Sequence, residues 1–189
     1  MKVFFTASHE GKKYFENYYK KITATIKKLG YEPMEDDILT VSTAKFFENL
    51  EKGGKQTNID LYKRKMKSIQ EADICIYECS INSLSLGFLI EKTLDLNKPT
   101  IVLYLKDNIP YFLLGANEEK LILKSYNDDD LKQILKETLL EAQGIKDKRF
   151  NFFISPELLS YLNKISKARS ITKSTFIRNL LLDHMKKNK

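Results

Sequence analysis

The residues of this chain that could do chemistry gather after two apolar runs. Residues 6–12 read Thr-Ala-Ser-His-Glu-Gly-Lys and follow the run KVFFTAS. Here Ser8, His9 and Gly11 put small hydroxyls, an imidazole and a glycine just before a helical pattern. Backbone N–H groups at a helix start can receive a phosphate or a sugar hydroxyl, although many α/β loops look the same. The second group lies in ADICIYECSINSLSLGFLIE, residues 72–91, where Ser80, Ser83, Ser85 and Gly87 alternate with apolar residues. Three acids are candidates for attack or proton transfer: Asp60, Glu78 and Glu91. Asp60 would equally serve as a helix cap, and Glu78 as a hydrogen-bond partner at a strand end. Cys75 and Cys79 are four apart in one apolar run. On a strand they share a face about 13 Å apart, too far to bridge, and no His or Cys partner lies nearby in sequence. They are expected to be buried thiols. No metal and no cofactor is expected.

These groups must be held by alternating elements. A strand is expected over residues 2–8. A helix follows, with Phe15, Tyr18, Tyr19, Ile22, Ile26 and Leu29 at spacings of three and four, and Gly30 closing it. Residues 31–33 start an extended piece. Helices are expected over 43–50 and 60–72, parted by a flexible break at Lys52-Gly53-Gly54-Lys55. Doubly apolar strands follow at 73–78 and 99–105, with a helix over 86–97 between them. A short strand at 121–124 and a helix over 128–143 complete the series. Alternation of this kind predicts an α/β fold, a parallel five-stranded flavodoxin-like sheet with helices on both faces. Ligands of such sheets sit at the carboxyl ends of the strands, which places the loops 6–12 and 78–87 at the site.

The second loop carries a resemblance. Ala72-Asp73, Glu78-Cys79-Ser80, Ser83-Leu84-Ser85-Leu86-Gly87-Phe88 and Asn97-Lys98-Pro99 recur in the order found in the nucleoside 2-deoxyribosyltransferases and their relatives, the deoxynucleoside-monophosphate N-glycosidases. The resemblance spans residues 1–143 and implies a nucleoside or nucleotide ligand. Two departures touch its chemistry. The family's catalytic glutamate follows Gly-Tyr, whereas Leu89 follows Gly87-Phe88 here. An aspartate often found eight residues before Asp73 is Lys65 here. Glu91 lies two residues past Leu89, about 200° round a helix; a local bulge would restore it. Without one, the resemblance implies a pocket that has lost its reaction.

The net charge of +7 is unevenly spread. Residues 148–189 hold ten Lys and Arg against two acids, a balance of +8, while residues 1–147 hold 22 bases and 23 acids. Such asymmetry points to a polyanion partner, or to a merely solvated basic end. Within that tail residues 149–154 alternate as a strand, and Ser155 with Pro156 opens a helix bearing Leu158, Leu159, Leu162 and Ile165. A second helix carries Phe176, Ile177, Leu180 and Leu181 beyond the break at Arg169-Ser-Ile-Thr172. Strand, helix and helix, with Ser-Ile-Thr-Lys-Ser-Thr-Phe-Ile-Arg between the helices, resemble the ribbon-helix-helix family. That resemblance implies a homodimer, which supplies the core that some forty residues lack. It implies double-stranded DNA as partner, with Arg149, Asn151 and Phe153 facing bases and Thr172, Lys173 and Ser174 holding a phosphate. Phe153 stands where a polar residue is usual, so a dimerisation clamp without DNA is the alternative.

The expected organisation is therefore an α/β domain at 1–143, a linker at 144–147 and a ribbon-helix-helix unit at 148–189. The main functional expectation is a cytoplasmic DNA-binding transcriptional regulator with an impaired nucleotide pocket. An active deoxyribosyltransferase or deoxynucleotide N-glycosidase, dimerised by its tail, is the first alternative. A structural dimer with neither activity is the second. No apolar run reaches membrane-spanning length, and no signal peptide is expected at the N-terminus.

Overall fold

The computed structural model describes residues 1–34, 37–116, 118–144, 153–169 and 172–187. The chain divides into two compact units, Met1–Lys148 and Arg149–Lys189.

The first unit is built on five parallel strands: β1 (Lys2–Ala7), β2 (Glu32–Pro33), β3 (Ile74–Glu78), β4 (Thr100–Leu105) and β5 (Leu121–Tyr126), in the order β2-β1-β3-β4-β5. This is the flavodoxin-like α/β sheet expected. Alternation sends Ile74 and Ile76 of β3 into one core and Cys75 and Tyr77 into the other. Both faces are thus buried, which is why the strand is apolar throughout. One face is covered by α1 (Lys12–Lys28), α2 (Asp37–Thr40) and α6 (Leu131–Gly144), through Tyr19, Ile22, Ile26, Ile38, Leu135 and Leu139. The other carries α3 (Thr43–Glu71) and α4 (Leu84–Asp95), through Ile69, Leu86 and Ile90. A short α5 (Tyr111–Leu114) lies between β4 and β5.

Several boundaries moved for local reasons. Gly30, at φ 84°, closes α1 in the left-handed region that glycine favours. Helix α6 starts at Leu131, not at 128, because Asn127 and Asp130 form a reciprocal cap. The Asn127 Oδ1 accepts from the N–H of Asp129 and of Asp130, each at 2.9 Å, and Asp130 Oδ1 accepts from Asn127 N–H at 2.7 Å. The break expected at 52–55 narrows to one residue. Gly54, at φ 64° and ψ −160°, is the non-helical point within α3, and helix resumes at once beyond it. Strand β5 runs on to Tyr126, whose ring is fully buried. The four-residue α2 and α5 carry too few turns to show a period and were not foreseen.

In the second unit α7 (Pro156–Ala168) starts at the expected cap, where Ser155 Oγ accepts from Leu158 N–H at 3.3 Å. Helix α8 (Lys173–Lys187) follows. The guanidinium of Arg169 sits 5.5 Å over the ring of Phe176. Phe153 is fully exposed and belongs to no strand; the rest of the expected ribbon, Arg149 and Asn151 included, lies outside the described residues. Of the expected linker, Gly144 ends α6 and residues 145–147 also lie outside them. Among the described residues no helix is long and apolar enough to cross a membrane.

Candidate functional site

The chain runs from β1 outward to β2 in one direction and to β3 in the other, so the strand order reverses between β1 and β3. Open α/β sheets bind ligands at such a switch point, beyond the carboxyl ends of the strands. The register sets Ala7 beside Glu78, so both strands end level there. A pocket of about 710 Å³ opens at that place. Its floor is Thr6 to Glu10, one wall is Asn82 to Leu86 with Phe88 and Leu89, and the other wall is α3.

Of the ligand residues foreseen, Ser8, His9, Ser83 and Ser85 line this pocket. Ser83 caps α4, its Oγ accepting from Leu86 N–H at 3.4 Å. The first turn of α4 leaves the N–H groups of Leu84 and Ser85 without intrahelical partners. The other three are placed elsewhere. Gly11 precedes α1, where an added Cβ would stand 2.4 Å from the Tyr19 hydroxyl, so its role is close packing. Ser80 donates from Oγ to Glu78 and accepts from Leu105 N–H at 2.8 Å, so it ties strand ends together. Gly87 lies within α4, exposed, with open space where a Cβ would be.

None of the three candidate acids lines the pocket. Asp60 is exposed on α3 and accepts from Gln56 Nε2 at 2.9 Å. Glu91 is exposed, and α4 is continuous, so no bulge turns it inward; Leu89 occupies the wall instead. Glu78 is fully buried on the opposite side of the sheet, because strand alternation sends it there with Ile74 and Ile76. Tyr126 Oη donates to its Oε1 at 3.0 Å. Burial raises its carboxyl above the ordinary range, against the pull of hydrogen bonds from Ser80, Tyr126 and Tyr19.

The lining also includes residues that sequence reasoning passed over. Glu10 is the carboxylate among the described residues of the lining. Helix α3 brings Phe46, Phe47, Leu50, Asn58, Leu61 and Tyr62. The signal was there in the adjacent Phe46-Phe47 pair near the start of α3. Lys65, noted as a departure, also lines the pocket; its Nζ is 2.5 Å from Asp37 Oδ1, and both side chains are buried. Arg64 reaches the other oxygen of Asp37 at 3.3 Å. Burial lowers the His9 imidazole to about pH 4; Asp37 opposes this and Lys65 and Lys12 reinforce it. His9 is therefore neutral at pH 7. Among the described residues no group of three His, Cys, Asp or Glu is gathered as a metal site.

The chain is similar to a protein of Thermofilum pendens provisionally assigned as a 2'-deoxynucleoside 5'-phosphate N-hydrolase. The two are 29% identical over 133 residues, 69% of this chain and 88% of the other. A match of that length exceeds the second unit and rests mainly on the first. That similarity supports a nucleoside deoxyribosyltransferase-like first unit. It overturns the main expectation, a DNA-binding transcriptional regulator, and favours the enzymatic alternative. Of the residues expected to touch DNA, Thr172, Lys173 and Ser174 are exposed at the start of α8, and Phe153 lies outside any strand. No protein-family model matches the chain. Among solved structures, a CMP N-glycosidase of Clostridium botulinum aligns at TM-score 0.49 and 17% identity, over 74% of this chain and 99% of that one. A designed Rossmann 2x3 protein aligns at TM-score 0.45 and 14% identity, over 80% and 98%. Neither likeness adds to the topology already described.

Proposed function

We propose that the pocket binds a 2'-deoxynucleoside 5'-phosphate or a closely related nucleotide, and that the chain hydrolyses its N-glycosidic bond. Water adds to the sugar C1' as the base leaves with its bonding pair and takes up a proton. The products are a free base and a sugar 5-phosphate. The observation that carries this reading is the pocket itself, set at the switch point with the start of α4 on its wall. The free N–H groups of Leu84 and Ser85 and the Ser85 hydroxyl suit the phosphate. Phe47, Tyr62 and Phe88 offer apolar faces to a base. Glu10 is the carboxylate that would stabilise positive charge at C1' as the base departs.

One observation favours a second reading, binding without cleavage: Leu89 stands where the resemblance places the catalytic glutamate. One experiment separates the two. The full chain is incubated with each deoxynucleoside and ribonucleoside 5'-monophosphate, and free base is followed by chromatography while binding is followed by calorimetry. Base release that falls by about 10²-fold or more in Glu10→Gln supports hydrolysis. Binding with no release in the native chain, and release gained in Leu89→Glu, supports the second reading. No binding of any nucleotide rejects both.

We also propose that the second unit joins two chains as a homodimer. Leu158, Leu159, Leu180, Leu181 and Met185 are exposed on its helices, while among the described residues Leu162 and Phe176 are the buried apolar ones. A unit of this size needs a partner to complete a core.

A further inference from the structure

His9 stands out among the buried polar groups. Both ring nitrogens are shut off from solvent and have no hydrogen-bond partner among the described residues. The residue is 8% exposed and lines the pocket. Buried polar atoms are nearly always satisfied, so an imidazole with two empty positions calls for an explanation. What covers it is Phe46, stacked on the ring at 3.6 Å with the planes 10° apart. The neutral ring holds one N–H donor and one lone pair, and each suits a polar edge of a ligand.

The cover is built to move. Phe46 rides on residues 43–53 of α3, and α3 buries no side chain before Lys65. Among the described residues, a ring stack and a hydrogen bond tie this half-helix to the loop after β1, and both fall on His9: Phe46 stacks on its ring, and the Thr43 hydroxyl donates to its carbonyl at 3.0 Å. At its far end stands Gly54, at φ 64° and ψ −160°, a conformation that essentially glycine alone adopts. A segment with few buried contacts and a hinge at its end opens at low free energy.

We propose that residues 43–53 form a lid, hinged at Gly54 and latched on His9 by Phe46, and that a bound nucleotide displaces Phe46 and takes the His9 imidazole as its hydrogen-bond partner. The second half rests on the nucleotide reading above; the lid does not. Closed, the lid withholds His9 from the pocket. Opened, it gives the ligand a preorganised donor and acceptor in place of an aromatic face.

The test uses the full chain and diethyl pyrocarbonate, which acylates neutral imidazole, with the site located by mass spectrometry. The chain has two histidines, and exposed His184 on α8 serves as the internal reference. In the native protein His9 should react about tenfold or more slowly than His184, because reaction passes through the open population. Phe46→Ala should bring the two rates together. Gly54→Ala, which strains the closed backbone without touching the pocket, should also speed His9. Equal rates in the native protein, or an unreactive His9 in both variants, would overturn the lid. Deoxynucleoside 5'-monophosphates added to Phe46→Ala should then protect His9. A nucleotide that binds by calorimetry without protecting His9 overturns the imidazole contact and leaves the nucleotide reading standing. Absence of nucleotide binding, with the lid rates as expected, rejects the nucleotide reading and leaves the lid.

Discussion

His9 and Glu78 are both buried at the carboxyl end of the sheet, and their protonation responds in opposite senses. An unfolded imidazole takes a proton near pH 6.5, while folded His9 resists until about pH 4. Between those values the unfolded chain binds the extra proton. The contribution of His9 to stability is therefore complete above pH 6.5 and lost as pH falls toward 4. Glu78 is raised, so folding favours its protonation and its contribution grows as pH falls through the same acid region. Comparing the native chain with His9→Asn cancels Glu78 and the groups around the ring, Asp37, Lys65 and Lys12. Urea midpoints measured from pH 7 to pH 4.5 should fall less in the variant. Equal falls would mean that His9 is not held neutral. Glu78 also marks why a carboxylate at a strand end was an uncertain guide: one step of alternation decides which side of the sheet it serves.

At the scale of elements, the pocket wall depends on how α2 and α3 are joined. Asp37 on α2 accepts from Lys65 and Arg64 on α3, and Lys65 is as buried as its partner. The lysine thus has a structural reason to be where the resemblance would place an acid. Removing one member of a buried ion pair leaves the other unpaired. Lys65→Met should cost on the order of 3 kcal/mol, softened by Arg64, whereas Asp37→Leu combined with Lys65→Met should restore much of that loss. Unfolding of the single and double variants in urea checks both. A single variant as stable as the native chain would show that Arg64 suffices. Farther along the same helix, Gly54 divides α3 into an inner half fixed by Lys65 and Ile69 and an outer half fixed by neither.

At the scale of the molecule, the basic residues and the unfinished core belong to the same short unit. The apolar faces of α7 and α8 argue for a second copy of the chain. Light scattering should give twice the chain mass for the native protein and a monomer for Leu159→Asp combined with Leu180→Asp. A native monomer would reject the dimer, and base release measured on the same samples would show whether the pocket needs it.

The five strands, their parallel order and both cores were legible in the sequence, because doubly buried strands and amphipathic helices write their periods directly into residue type. That Ser8, His9, Ser83 and Ser85 share one pocket was legible too, since loops after the central strands must meet at the switch point. The Gly53-Gly54 pair announced a break, and the cap at Ser155 announced a helix start. Contacts between residues far apart in the chain were decided only by the tertiary structure. Phe46 meets His9, and Lys65 meets Asp37, through packing that no local period records. Glu91 and Glu78 are close to the site in sequence, yet helix phase turns one to solvent and strand phase turns the other to the far side of the sheet. Local pattern specifies which elements form; the direction of a side chain across a pocket follows only once those elements are packed.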